Sequence, residues 1–249
     1  MGTRLREETT AIPKPMVSIG GRPILWHIMK IYAHAGFNEF VLCLGYKSEV
    51  IKDYFLNFDS RHHDFTVRLG PLSGMTIHST GAREEWTVTL ADTGLSSQTG
   101  DRIGIAKRYL DGDRFLVTYG DGVADIDVRD VLATHKKSGK LATVTAVRPS
   151  SRFGELSIAE GMVSSFQEKP QVGEGWINGG FMVFEREVLE RFSPGIGSLE
   201  NGVLVELAKE GQLAVHQHGG FWQCMDTYRE MKLLEDLWES QEAAWKIWR

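Results

Sequence analysis

The chain has 249 residues, 42% hydrophobic and 24% charged, the balance of a globular protein large enough to bury a core without disulfides. A formal net charge of −5 argues against a protein that coats nucleic acid, and no apolar run approaches the roughly 20 residues of a membrane helix. Cys43 and Cys224 are the only cysteines and form no Cys-x-x-Cys pair, so both are expected to be buried thiols in a reducing compartment. The segment Met1-Gly2-Thr3-Arg4-Leu5-Arg6-Glu7-Glu8 lacks the apolar core of a signal peptide, which makes the cytoplasm the expected location.

Helical and strand periods alternate along the chain. Ile24, Leu25, Ile28, Ile31, Tyr32 and Ala35 recur at helical spacing, opened by Pro23 and closed by Gly36. The run Phe40-Val41-Leu42-Cys43-Leu44 predicts a strand buried on both faces, and Ser48 is expected to cap a helix reaching about Phe55. Phe65 to Leu90 is richer in strand signals, with clear alternation at Thr87-Val88-Thr89-Leu90. Ile103–Leu110 predicts a helix, and Phe115–Tyr119 a buried strand that runs into Gly120-Asp121-Gly122. A helix over Asp127–Lys137 and a strand over Ala142–Val147 follow. Short antiparallel strands are expected at Glu155–Ile158, Val163–Glu168 and Ile177–Phe184, then helices at Leu199–Lys209 and Thr227–Trp238. Helix, buried strand, helix is the rhythm of a doubly wound α/β sheet, and no linker interrupts it.

Four clusters carry candidate chemistry. Gly2-Thr3-Arg4-Leu5 followed by Pro13-Lys14-Pro15-Met16 offers backbone N–H groups, a guanidinium fork and a lysine held between two prolines, all suited to phosphate oxygens. Taken alone, its plainer reading is a mobile end with a surface lysine. Gly120-Asp121-Gly122 follows a buried strand, where ligands collect in open α/β sheets, and its aspartate suits a hard cation such as Mg²⁺. A strand-ending turn is its plainer reading. Phe166-Gln167-Glu168-Lys169-Pro170 with Asn178-Gly179-Gly180 supplies groups that bind sugar hydroxyls and a sugar phosphate, or else a solvated hairpin edge. Asp226, in Met225-Asp226-Thr227, reads most plainly as a helix cap and more sharply as a second carboxylate for the same cation, two roles that do not exclude each other. His62-His63 and His216-x-His218 are expected to be ordinary loop and strand histidines. The tryptophans at the carboxyl end, Trp238, Trp245 and Trp248, are expected to pack on the body or on a neighbouring subunit.

In this order, Gly-Thr-Arg-Leu, Pro-Lys-Pro-Met, Gly-Asp-Gly, Glu-Lys-Pro and Asn-Gly-Gly resemble the sugar nucleotidyltransferase superfamily over essentially the whole chain. Gly21–Met29, Asp92-Thr93-Gly94, Thr118–Asp125, Gly219–Thr227 and the Trp-rich ending are similar to the glucose-1-phosphate cytidylyltransferase family within it. The resemblance implies an α/β, Rossmann-like, three-layer nucleotidyltransferase fold. Its mixed, mostly parallel sheet would be flanked by helices, with a smaller β-rich sugar-binding part. One domain would span 1–249, its nucleotide-binding part about 1–125 and its sugar-phosphate part about 126–249. It implies CTP and glucose 1-phosphate as partners, CDP-glucose and pyrophosphate as products, and a homo-oligomer that binds neither nucleic acid nor membrane.

By the same resemblance Arg4 would hold the leaving phosphates and Lys14 would neutralise the transferring one. Gly2, Thr3, Arg4, Thr99, Gly100, Gly120 and Asp121 would contact the nucleotide, and Asp121 and Asp226 would hold Mg²⁺. Lys169 would bind the sugar's phosphate, while Glu168, Asn178 and the backbone near Gly154 and Gly180 would read the hydroxyls. Two departures stand out. Asp101 occupies the place of a second glycine in the family's nucleotide loop, adding a carboxylate beside a triphosphate. The family's pattern also begins with a hydrophobic strand and a Leu-Ala-Gly-Gly-x-Gly-Thr-Arg-Leu loop, and this sequence starts inside that loop. The expectation is therefore of weak nucleotide binding and low stability. UTP or dTTP specificity, and a non-catalytic sugar-phosphate-binding homologue, are the alternative readings.

Overall fold

A computed structural model describes residues 12–71, 73–78, 84–149, 155–159, 162–167, 175–193 and 195–248. A 3-10 turn (Lys14–Met16) leads to the short hairpin of β1 (Ser18–Ile19) and β2 (Arg22–Pro23), and then to helix α1 (Ile24–His34). Residues Ile24 to Met29, with Ile31 and Tyr32, are all buried, because α1 lies between two cores and is apolar almost all round. Gly36, at φ +94°, ends it as expected, donating its N–H to Ala33 O at 2.9 Å.

Strand β3 (Glu39–Leu44) pairs in parallel with β6 (Thr87–Asp92), Glu39 facing Thr87 and Leu44 facing Asp92. The expected burial on both faces is not found: Glu39 is exposed, Phe40 to Cys43 are half-buried, and Leu44 alone is buried. Among the described residues β3 is paired along one edge only, and its half-burial carries Cys43 with it. Helix α2 (Ser48–Leu56) opens from Lys47, whose left-handed backbone (φ +52°) makes the entry turn, so Ser48 lies inside the helix and does not cap it. A one-turn helix α3 (Phe58–His62) follows, and then the antiparallel hairpin of β4 (Asp64–Arg68) and β5 (Gly74–His78).

Helix α4 (Thr99–Ala106) starts four residues before the first expected position, because Gln98 and Asp101 form a reciprocal capping box at its amino end. After β7 (Arg114–Val117) and β8 (Gly122–Ala124), Asp127 caps helix α5 (Val128–Ser138) by accepting from Arg129 N, and β9 (Ala142–Val147) follows. Strands β10 (Glu155–Ala159) and β11 (Met162–Gln167) pair antiparallel. The single strand expected over Ile177–Phe184 is broken into β12 (Ile177–Asn178) and β13 (Met182–Glu185), because Gly180 and Phe181 both take positive φ, +82° and +46°. Helix α6 (Val203–Lys209), β14 (Leu213–His218), β15 (Trp222–Cys224) and helix α7 (Tyr228–Glu239) complete the order.

The main sheet has five strands. β9 takes β12 and β13 antiparallel and β14 parallel, and β13 pairs antiparallel with β7. β7, β9 and β14 therefore point one way with the broken strand running against them. The sheet is mixed, as the resemblance implies, but among the described strands only the β9–β14 pairing in it is parallel, because the broken strand lies between β9 and β7 and also flanks β9. One core joins α1, β8, α5, β13 and α7, a second lies between α4, β7, β13 and α6, and a third between α1, α2 and β3. The tryptophan-rich end packs on the body: Trp245 is 1% exposed, and it lies against Phe221, Trp238 and His27. Among the described residues, no helix is long and apolar enough to cross a membrane.

Candidate active site

Two strands distant in sequence bring two aspartates together. β8 and β15 pair antiparallel with Gly122 facing Cys224, and Met225 N donates to Asp121 O at 2.8 Å. Asp121 enters this ladder where Asp226 leaves it, so both carboxylates stand at one end. Lys14 reaches that end from its 3-10 turn, held by Pro13 and Pro15. Pro15 packs so close to Gly120 that a Cβ there would meet its Cγ at 3.1 Å, which accounts for a glycine at 120.

The Lys14 ammonium lies 2.7 Å from Asp121 Oδ2 and hydrogen-bonds Asp226 Oδ1. Burial by itself would lower its pKa, but bonds and charge from Asp121 and Asp226 outweigh that and hold the ammonium above its ordinary range. Helix α7 fixes Asp226 from below. Thr227, not Asp226, is the cap, in a capping box with Glu230, because the Thr227 hydroxyl is the group that reaches Glu230 N. Glu230 Oε2 in turn accepts from Asp226 N at 2.7 Å and Thr227 N at 2.8 Å.

The Cys224 thiol donates to Asp226 Oδ2 at 3.4 Å; burial and the neighbouring carboxylates Asp226 and Glu230 push it up to about 12. Cys224 itself is half-buried, not fully buried. Cys224, Asp226 and Glu230 bring metal-ligand atoms within 4.8 Å of one another. The protonated thiol and the backbone bonds taken by Glu230 leave Asp226 as the group's hard, anionic donor. His62 ends helix α3 instead of lying in a loop, and it and His63 contact the backbone one turn earlier; in β14, His216 contacts Thr134 and His218 lies 2.8 Å from Asp125.

A second constellation lies at the ends of α4, β7 and β12. Thr99 Oγ donates to Glu200 Oε2 at 2.8 Å, Tyr119 Oη donates to Glu200 Oε1 at 2.5 Å, and Asn178 Nδ2 donates to Tyr119 Oη at 3.0 Å. Asn178 Oδ1 accepts from Gly180 N at 3.0 Å. Burial and the adjacent Glu200 raise the Tyr119 phenol. Glu200 is held below its ordinary value: burial opposes this, but the bonds from Tyr119, Thr99 and Ser198 prevail. Gly100 spends its N–H on Gly197 O at 2.9 Å. Asp101 faces the same loop, accepting from Gly195 N and Gly197 N at 3.1 and 3.2 Å. Its carboxylate is thus occupied by backbone donors. Trp222 Nε1 donates to Gly179 O at 2.9 Å, tying β15 to the broken strand.

The structure therefore brings Lys14, Gly120, Asp121 and Asp226 into one cluster and joins Thr99 to Asn178 and Gly180 in another. Gly2, Thr3, Arg4, Gly154, Glu168 and Lys169 lie outside the described residues. Tyr119, Glu200, Glu230 and Trp222 were not singled out from sequence, and Cys224 was read only as a buried thiol. The Thr227-x-x-Glu230 spacing alone could have flagged Glu230; the others are long-range contacts with no local signature.

An α/β fold in which a lysine and two carboxylates converge at the end of the β8–β15 ladder has the layout of a phosphoryl-handling transferase. A model of the Nucleotidyl transferase family matches residues 1–222, and the chain belongs to that family. It is 48% identical over 249 residues to glucose-1-phosphate cytidylyltransferase of Salmonella typhimurium, covering 100% of this chain and 96% of that protein. It is 43% identical to a probable glucose-1-phosphate cytidylyltransferase of Bacillus subtilis, covering 99% and 96% of the two chains. Among solved structures, HddC from Yersinia pseudotuberculosis superposes with a TM-score of 0.65 at 22% identity, over 96% and 95% of the two chains, a likeness of fold.

Proposed function

We propose that this chain transfers the cytidylyl group of CTP to α-D-glucose 1-phosphate, releasing CDP-glucose and pyrophosphate. What carries the reading is the 48% identity, across the whole chain, with a protein of that name. The convergence of Lys14, Asp121 and Asp226 supports it physically. A sugar-phosphate oxygen forms a bond to the α-phosphorus while the bond from that phosphorus to the pyrophosphate oxygen breaks in line. Negative charge spreads over the transferring group, and a fixed ammonium stabilises it. Asp121 and Asp226 form a donor set of the right hardness for Mg²⁺: two carboxylates meet at one point, where the Lys14 cation now bonds both. They would hold the ion, which would neutralise phosphate charge.

In this reading Arg4 holds the leaving phosphates, with Gly2, Thr3, Thr99, Gly100 and Gly120 around the nucleotide. Lys169 binds the sugar's phosphate, and Glu168, Asn178 and the backbone at Gly154 and Gly180 bind its hydroxyls. Bringing two anions together against their repulsion is the rest of the work. The protein would act in the cytoplasm as a homo-oligomer. The exposed Phe65, Val67, Leu69 and Met75 on and beside the β4–β5 hairpin support a subunit contact.

The test is turnover of glucose 1-phosphate with CTP, UTP, dTTP and GTP in parallel. CTP should lead in kcat/KM by more than about tenfold, a margin that a few base contacts can supply. Preference for another base would move the substrate, and no turnover with any would favour a non-catalytic binding protein.

A further inference from the structure

The Thr99–Glu200–Tyr119–Asn178 chain has a fixed direction. An ionised carboxylate only accepts hydrogen bonds. The Thr99 hydroxyl and the Tyr119 phenol must therefore both donate to Glu200, at 2.8 and 2.5 Å. With its proton committed, Tyr119 Oη can offer Asn178 nothing but lone pairs, so Asn178 must turn its NH₂ toward the ring oxygen. The amide oxygen then falls on Gly180 N–H, 3.0 Å away. Thr99 is fixed equally: its proton goes to Glu200 and its lone pair takes Leu199 N–H at 2.9 Å. Reversing any bond would leave two donors or two acceptors facing each other.

We propose that Glu200 is a positioning residue that sets, through Tyr119, which end of the Asn178 amide faces the sugar phosphate and, directly, how Thr99 presents its hydroxyl to the nucleotide. The inference deepens the proposed function and rests on it, since Asn178 and Thr99 acquire ligands only in that reading. The carboxylate is half-buried, and through Thr99 and Tyr119 it joins two parts of the site that are far apart in sequence. The low pKa of Glu200 keeps it ionised at neutral pH, so the polarity is permanent under working conditions. Tyr119 does not itself bind substrate in this scheme. Its ring is a spacer that carries the direction of one hydrogen bond to the next.

The experiment compares Tyr119→Phe and Glu200→Gln with the unaltered chain. It measures KM for CTP and for glucose 1-phosphate, binding of glucose 1-phosphate by calorimetry, and the melting temperature. Tyr119→Phe cuts the chain on the sugar side alone. It should raise KM for glucose 1-phosphate and weaken its binding about tenfold, the scale of one charge-linked hydrogen bond, while KM for CTP stays within about twofold. Glu200→Gln keeps the side chain's shape but introduces an NH₂ among donors, and both KM values should rise by about tenfold. It also serves as the second probe should Tyr119→Phe disturb packing. A merely structural role would lower the melting temperature and move both KM values together in each variant; that result, or KM values unchanged in both variants, overturns the proposal while the activity stands. If the unaltered chain neither binds glucose 1-phosphate nor turns it over, the functional reading fails and takes this inference with it.

Discussion

Trp245→Ala should be among the most damaging substitutions outside the candidate site. Trp245 is 1% exposed and stacks on Phe221 with ring centroids 5.6 Å apart. Its indole N–H donates to His27 Nδ1 at 3.3 Å inside α1, so His27 Nε2–H donates to Ile19 O at 2.8 Å. Truncation removes a large buried ring, at a cost of about 3–5 kcal/mol. It also leaves His27 Nδ1 without its donor, adding roughly 1 kcal/mol. At about 2–4 °C per kcal/mol for a chain of this length, the total of about 4–6 kcal/mol should lower the melting temperature by roughly 8–24 °C. Because Phe221 directly precedes β15, which leads to Asp226, activity should decline at temperatures where the protein remains folded.

Burial holds the His27 imidazole down at about 4, below its ordinary 6.5, so the folded state carries it neutral. Between those values the unfolded chain binds more protons than the folded one. The stabilisation is complete above the ordinary value and is lost as pH falls toward the folded value, on the order of 3 kcal/mol in all. Trp245→Ala admits water to His27 and should flatten that dependence. Thermal unfolding followed by circular dichroism from pH 4 to 8 reads both effects. A shift under about 3 °C at neutral pH, well short of the cost of an aromatic cavity, would refute the packing argument.

Asp226→Asn should raise the Mg²⁺ concentration for half-maximal activity by about tenfold or more, since one anionic oxygen donor is lost; an unchanged Mg²⁺ titration would remove Asp226 from the metal site. Gly179→Ala puts a Cβ 2.5 Å from Val147 Cγ1 and should cost about 1–3 kcal/mol in urea unfolding, as overpacking does; no loss would mean that β9 yields more easily than its packing suggests. Cys224, with its thiol pushed up to about 12, should react with a disulfide reagent at pH 8 far more slowly in the folded protein than in urea. Equal rates would show that the thiol is neither buried nor held by Asp226.

The regular elements were legible because their signals are local. Pro23 and Gly36 bracket α1, and Ala142–Val147 is read as a strand from its β-branched residues alone. The misreadings came from contacts that no local window contains. Ser48 looks like a cap until Lys47 turns left-handed, and Ile177–Phe184 looks like one strand until Gly180 and Phe181 break it. Asp101 looks like an intruder beside a triphosphate, yet its carboxylate is spent on Gly195 and Gly197, partners far along the chain. The Lys14–Asp121–Asp226 cluster was readable as a set of candidates because each member sits beside proline or glycine or at a helix start. What joins them is the β8–β15 ladder, whose strands are too short to announce themselves in sequence.

The most direct test of the account is phosphorus NMR of CTP and glucose 1-phosphate incubated with Mg²⁺ and the protein, beside a Lys14→Met variant. The account predicts CDP-glucose and pyrophosphate in equal amounts from the unaltered chain. It predicts a rate lower by about 10²–10³-fold from Lys14→Met, the loss expected when one preorganised charge leaves a phosphoryl-transfer site. No CDP-glucose from the unaltered chain, or an undiminished rate in the variant, would contradict it.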